Sequence, residues 1–420
     1  MNINNILAGV PCACGKTHTC AIKQVYIEKG AIARLAALCA PHTHILLVAD
    51  ENTFAAAGEQ VVEALSGKRL DRVVFPATPL LIPNEQAIAQ VNAALDGVDM
   101  ILAVGSGVIQ DLCKYCSHFS GIPYIDVATA PSMDGYASDG AAMILGGMKE
   151  TVKAGLPQAI VCDVDVLKNA PYPMIQAGYG DIIGKYSALC DWRLANIVTG
   201  EYLCEYIYKT TAEMIEKTRA LADGLTERRE KSSAALMEAL VVVGIMMSFA
   251  GSSRPASGSE HHLSHFFEIT GIVHGKEYLP HGIDVVYSTV ETAALREKLA
   301  TAPYPEKGFI PTRKEYLAKM SEIYGVVGEG CVALQDKIGR YGVDRAPTYR
   351  AHEAEIRALF AATPTAKEIE DMLRAVGMDI GDFYTLYGEE KIKTAISYAK
   401  DLKDRYSVLW MYYDLFGEVQ

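Results

Sequence analysis

The sequence has no extended basic cluster. Its densest cationic stretch is the short run from Glu227 to Lys231, and acidic residues exceed basic ones by 51 to 39, for a formal charge of −12. An excess of negative charge repels polyanions, which argues against nucleic acid and anionic membrane as partners. No apolar run is long either. The longest, Ala239 to Ala250, has 12 residues, against the roughly 20 that a bilayer span needs, so a core helix is expected there and no membrane span. The first residues, Met1-Asn-Ile-Asn-Asn-Ile6, contain neither a basic leader nor an apolar stretch and do not read as a secretory signal. The 10 cysteines lack the regular spacing of a disulfide framework, so reduced thiols and a cytoplasmic location are expected. What remains is a chain of 420 residues, 50% hydrophobic, 21% charged and 8% aromatic. That is the composition of a packed globule with room for two or three domains.

Up to about residue 165, β-branched runs alternate with helical segments. His44–Asp50, Asp71–Phe75, Asp99–Val104, Tyr124–Ala128 and Ala159–Cys162 read as strands, and Thr53–Gly67 and Asn84–Leu95 as helices. Such alternation predicts a parallel sheet with helical crossovers. Beyond Pro173 the periodicity is helical, over Met174–Thr199, Tyr202–Leu225, Lys231–Phe249 and Lys314–Tyr324. The expectation is an α/β dinucleotide-binding domain over residues 1–166 and an all-α metal- and substrate-binding domain over 167–420. The active site is expected in the cleft between them.

Gly105-Ser106-Gly107 follows a predicted strand and opens a predicted helix through Asp111 and Lys114. Glycines there let backbone approach a phosphate, and a helix N-terminus presents N–H groups to it. The turn lacks the Gly-Lys-Ser/Thr ending of a Walker loop. Its acidic partner, Asp50, precedes the glycines, so it is not an ordinary Rossmann fingerprint either. Asp50 is suited to accept hydrogen bonds from ribose hydroxyls and to repel a 2′-phosphate, predicting a preference for NAD(H). After the Tyr124–Ala128 strand, Thr129, Ser132, Asp134 and Ser138 offer polar groups where α/β proteins place ligand loops.

In the helical half, His261 and His265 lie one turn apart in Glu260-His-His-Leu-Ser-His265, so two imidazoles share a helix face. His262 occupies the position where a zincin carries Glu, which disfavours a metalloprotease. Asp181, just past Gly178 and Gly180, is a candidate oxygen ligand for a two-His-one-carboxylate site suited to zinc, nickel or iron. Arg254 is either a phosphate partner, through paired hydrogen bonds, or a structural arginine at a helix turn. Of two His-Gly pairs, His281 is favoured over His274. An apolar helix-like stretch follows His281, whereas Lys276, Glu277 and Tyr278 after His274 read as a solvated loop. Cys12, Cys14, His18 and Cys20 crowd together without paired Cys-x-x-Cys knuckles, which weighs against a metal there. Cys113 and Cys116 lie inside a predicted helix and read as coincidence.

Taken in order, Gly105–Asp111, Thr129–Ser138, Ala177–Asp181, Ser253–His261 and His281-Gly282 resemble the sn-glycerol-1-phosphate dehydrogenases. These sit in the metal-dependent superfamily of glycerol dehydrogenase, iron-type alcohol dehydrogenases and dehydroquinate synthase. The likeness spans about residues 20–290, and the N-terminal Cys-x-Cys-Gly segment is similar to the bacterial members. It implies Asp181, His261 and His281 as ligands of one divalent ion, zinc or nickel and less often iron. Gly105, Ser106, Gly107, Asp111, Thr129, Ser132 and Ser138 would line NAD(H) or NADP(H), with Asp50 at the adenosine end. Asp134 and His265 would contact the substrate and take part in catalysis. The implied reaction interconverts dihydroxyacetone phosphate and sn-glycerol 1-phosphate, a small phosphorylated substrate, in a homodimer. One departure is Ile283, where the family commonly has Glu or Gln. The alternatives are a glycerol or other polyol dehydrogenase, a dehydroquinate synthase, which has Glu in place of Asp181, and a cofactor-binding protein without activity.

Overall fold

The computed structural model describes residues 3–146 and 148–419. Its strands are β1 (Val10–Pro11), β2 (Thr17–His18), β3 (Gln24–Glu28), β4 (His44–Asp50), β5 (Arg69–Phe75), β6 (Met100–Gly105), β7 (Tyr124–Ala128), β8 (Gly140–Leu145), β9 (Met148–Lys153) and β10 (Ala159–Asp163). Six of them form one parallel sheet in the order β3-β10-β7-β6-β4-β5. The other four make two antiparallel hairpins, β1-β2 and β8-β9. The five strands expected from the sequence are all present. Their unbroken apolar runs follow from burial on both faces. In β4, Ile45, Leu47 and Ala49 enter one core with Leu102, Val104 and Val127, while Leu46 and Val48 enter another with Ile101, Ala103 and Leu112.

The helices that carry the argument are α1 (Gly107–Ser120), α2 (Tyr172–Thr199), α3 (Glu230–Ala250), α4 (Ser259–His274) and α5 (His281–Thr301). The expected helix over Tyr202–Leu225 is instead two, Glu205–Arg219 and Ala222–Thr226. By contact the chain divides into two units, residues 1–182 with 216–252 and residues 183–215 with 253–420. The sequence suggests one boundary near residue 167, but α3, helical and remote from the sheet in sequence, belongs with the sheet. Its apolar run supplies Leu240, Val241, Val242 and Val243 to the interior, as a core helix should. In the second unit, all described secondary structure is helical. There α4 buries Phe266 and Phe267, and α5 buries Val285, Val286 and Val290.

Candidate active site

In the first unit the glycine turn closes β6 and opens α1. A Cβ on Gly105 would stand 2.6 Å from Ile109 Cβ, and one on Gly107 would stand 3.2 Å from Met133 Sδ, so the turn admits no side chain at the first position and crowds the second. Ser106 is the N-cap residue, yet its side chain makes no capping bond. The first turn of this 14-residue helix thus begins without a side-chain cap at the C-terminal end of β6, the place where open α/β sheets bind phosphates. Asp50 stands at the corresponding end of β4. Its Oδ1 accepts from Thr53 N at 2.8 Å in a capping box, which fixes the carboxylate just beyond the strand.

The loop after β7 is tied to this turn. Thr129 N donates to Gly105 O at 3.1 Å, Tyr136 Oη to Ala130 O at 2.6 Å, and Ser138 Oγ to Gly135 O at 3.1 Å. Burial, the main cause, pushes the Tyr136 phenol far above its ordinary range, opposed by a hydrogen bond with Ser132. Lys114, fully buried, is a residue that the sequence reading left without a role. Its Nζ donates to Gly135 O and Gly140 O, both at 2.9 Å, and to Asp111 Oδ1 at 3.2 Å. Asp111 thus neutralises the ammonium that staples the loop. The available signal was the Asp111-x-x-Lys114 spacing, one helical turn.

Two helices grip the same loop through glycines. A Cβ on Gly178 of α2 would stand 2.8 Å from the Pro131 carbonyl carbon and closer still to its oxygen; one on Gly244 of α3 would stand 2.6 Å from Asp134 O. Ser248 Oγ adds a bond to Ala137 O at 2.9 Å. Asp181, one turn past Gly178, is 6% exposed, and its Oδ2 accepts from Asp134 N at 3.0 Å. The first unit therefore gathers Gly105, Gly107, Thr129, Ser132, Asp134, Ser138 and Asp181 around one loop. Cys113 and Cys116 are buried in α1, and burial raises both thiols, Cys116 to about 12, which agrees with their having no redox role.

In the second unit three imidazoles converge. The ring centroids of His261 and His281 are 5.4 Å apart, those of His265 and His281 5.3 Å, and those of His261 and His265 6.3 Å. Two ligands bonded at about 2.0–2.1 Å with a tetrahedral angle place their centroids roughly 5 Å apart. His261 Nδ1 is 2.7 Å from Glu260 Oε1, which also accepts from Gly258 N at 2.8 Å. A carboxylate on Nδ1 orients Nε2 toward an ion. Burial raises Glu260 to about 7 and Asp191 to about 6. Asp191 anchors the start of α4, accepting from Ser259 N at 2.6 Å and from Val408 N at 2.7 Å. His281 is the first residue of α5, and its Nδ1 lies 3.3 Å from Ser264 Oγ.

His274 is the last residue of α4, with Nε2 3.0 Å from Ile323 O, and Lys276, Glu277 and Tyr278 after it form the exposed loop expected from the sequence. Arg254 is 4% exposed, and its guanidinium makes a two-bond pair with Glu201 and a third bond to Tyr406 O. Of its two readings the structural one is favoured, because its charge and donors are already engaged by the half-buried Glu201 carboxylate and the Tyr406 carbonyl. His262 is buried, and burial drives its pKa well below the ordinary value, so it is a neutral core imidazole.

The family model for iron-containing alcohol dehydrogenases matches residues 26–171. The solved iron-containing alcohol dehydrogenase of Thermococcus thioreducens superposes with a TM-score of 0.61 at 14% identity, covering 96% of this chain and 94% of that one, a likeness of fold. A glycerol-1-phosphate dehydrogenase [NAD(P)+] from Bacillus licheniformis is 29% identical over 95% of this chain and 90% of its own length. One of the same name from Geobacillus stearothermophilus is 35% identical over 66% of this chain and 71% of its own length. With that identity over that span, the chain belongs to the glycerol-1-phosphate dehydrogenase family.

Proposed function

We propose that this protein is an NAD(P)- and metal-dependent oxidoreductase that interconverts dihydroxyacetone phosphate and sn-glycerol 1-phosphate. The observation that carries the reading is the convergence of His261, His265 and His281, with the His261 Nδ1 already bonded to Glu260. The donor set fits a borderline divalent ion, zinc or nickel before iron, and we assign its ligands as Asp181, His261 and His281. When bound, such an ion supplies a Lewis acid at the ketone oxygen, and the nicotinamide supplies the hydride.

The chain's own residues supply the rest. Gly105, Ser106 and Gly107 offer backbone to the cofactor's pyrophosphate, and Asp50 is assigned to its adenosine ribose. Thr129, Ser132 and Ser138 line the dinucleotide, and Asp111 supports that wall through Lys114. Asp134 positions Asp181 through its backbone N–H and is assigned with His265 to the substrate. His265 holds or passes the proton that the product alkoxide needs, as imidazoles do in general acid–base catalysis. A homodimer in the cytoplasm, handling a small phosphorylated substrate, belongs to the same reading. The test is metal removal. Chelated protein, and the variants Asp181→Asn and His261→Ala, should lose turnover while keeping the circular dichroism of the native chain; full turnover by rigorously metal-free protein would overturn it.

A further inference from the structure

A second group of soft donors lies at the N-terminus, in the first unit and apart from the residues assigned to catalysis. Strands β1 and β2 pair Val10 with His18 and Pro11 with Thr17. The turn between them is closed by Cys12 N donating to Lys16 O at 3.0 Å and Gly15 N to Cys12 O at 3.1 Å, with Gly15 at φ +85°, where L side chains are strained. This hairpin brings Cys12, Cys14 and His18 onto one point. Their ligand atoms lie within 4.8 Å of one another, and Cys14 Sγ is 3.4 Å from His18 Nε2. In a tetrahedral zinc site, bonds of about 2.3 Å to sulfur and 2.0–2.1 Å to nitrogen put a thiolate and an imidazole donor roughly 3.6 Å apart. The observed pair already has that spacing.

The surroundings favour a structural ion. His18 is 3% exposed, and its ring stacks on Phe249 of α3, centroids 5.2 Å apart and planes 16° from parallel. The imidazole is therefore held in one orientation by packing, with Nε2 toward the thiols. The hairpin itself is weak, with two residues in each strand, and two-stranded ribbons of ordinary length are only marginally stable alone. Small elements of this kind are commonly fixed by a metal or a disulfide. None of Cys12, Cys14 and Cys20 forms a disulfide.

We propose that Cys12, Cys14 and His18 bind a structural zinc ion that pins the N-terminal hairpin, with the fourth position taken by a further donor. Two thiolates and an imidazole select zinc among the common divalent ions. Binding releases the two thiol protons, with no redox step.

The experiment uses the full chain expressed with zinc. Elemental analysis of the Asp181→Asn/His261→Ala variant, which lacks the proposed catalytic ligands, should still find one zinc per chain, and Cys12→Ser/Cys14→Ser in that background should find none. Cobalt exchanged into the first variant should show near-ultraviolet thiolate-to-metal absorption, which a carboxylate and imidazole set cannot give. Because the cysteine variant can misfold, the wild-type chain provides an independent readout. Alkylation of Cys12 and Cys14, followed by mass spectrometry, should speed up roughly tenfold when zinc is chelated. No zinc in the ligand-depleted variant, cobalt spectra without thiolate bands, or alkylation indifferent to chelation would each overturn the proposal. Two metal equivalents in the Asp181→Asn/His261→Ala variant, one of them lost on adding Cys12→Ser/Cys14→Ser, would instead count against the catalytic ligands alone.

Discussion

Gly178→Ala is the most informative single substitution. The added methyl would meet the backbone of Pro131, 2.8 Å from its carbonyl carbon and nearer its oxygen. Backbone cannot rotate away as a side-chain tip can, so the loop 129–138 must move by roughly 1 Å, at an overpacking cost of about 1–3 kcal/mol. The loop is also gripped from the other side, where Gly244 packs on Asp134 O, so it has little room to retreat. Its displacement would break the bond from Asp134 N to Asp181 Oδ2, a bond to a carboxylate worth about 1.5–3 kcal/mol. A proposed metal ligand then loses its orientation. Misplacement of that size commonly costs about 10²-fold in rate. The assay is kcat and KM with bound metal measured in parallel, and Gly155→Ala is the control, since a methyl there meets nothing within 4 Å. The expected result is a fall of about 10²-fold in kcat/KM with reduced metal occupancy, against an unchanged control. Native activity and thermal midpoint in Gly178→Ala would refute the argument that this contact shapes the site.

Three further outcomes are expected. His265→Ala should keep its metal by elemental analysis while losing kcat, whereas His281→Ala should lose the metal and His274→Ala should keep both; metal lost from the His274 variant would reverse the ligand choice. Asp50→Ala should improve the specificity constant for NADPH relative to NADH, and it should cost about 1 kcal/mol of stability through the lost cap at Thr53, read by denaturant unfolding. Lys114→Met removes three bonds to Asp111, Gly135 and Gly140 and leaves a buried carboxylate without its cation, so it should destabilise by about 3–5 kcal/mol; a change under about 1 kcal/mol would show that the staple is dispensable.

The central strands were legible because parallel strands buried on both faces are written as apolar runs with no polar alternation. The edge strand Gln24–Glu28 was not, since none of its residues is fully buried and its pattern does not differ from that of a loop. The hairpin Gly140–Leu145 with Met148–Lys153 was also missed. Site residues supplied by one local motif, such as Gly105-Ser-Gly107 and His261 with His265, could be read directly. What depended on a distant partner could not. Arg254 looks like an anion binder until Glu201, 53 residues away, is found on its guanidinium. Gly178 and Gly244 look like ordinary helix glycines until the loop that passes between them is seen. The same holds for Cys12, Cys14 and His18, which lack a familiar zinc spacing and are brought together by a turn that periodicity does not reveal.

The proposed reaction differs from its rivals in substrate and in the configuration of its product. Purified, metal-loaded protein is given dihydroxyacetone phosphate with NADH, and in parallel the unphosphorylated ketone, while cofactor oxidation is followed and the product's configuration is determined by a stereospecific assay. Rapid oxidation is expected with the phosphate alone, with sn-glycerol 1-phosphate as the product. Equal turnover of the unphosphorylated ketone, or formation of the sn-3 isomer, would contradict it.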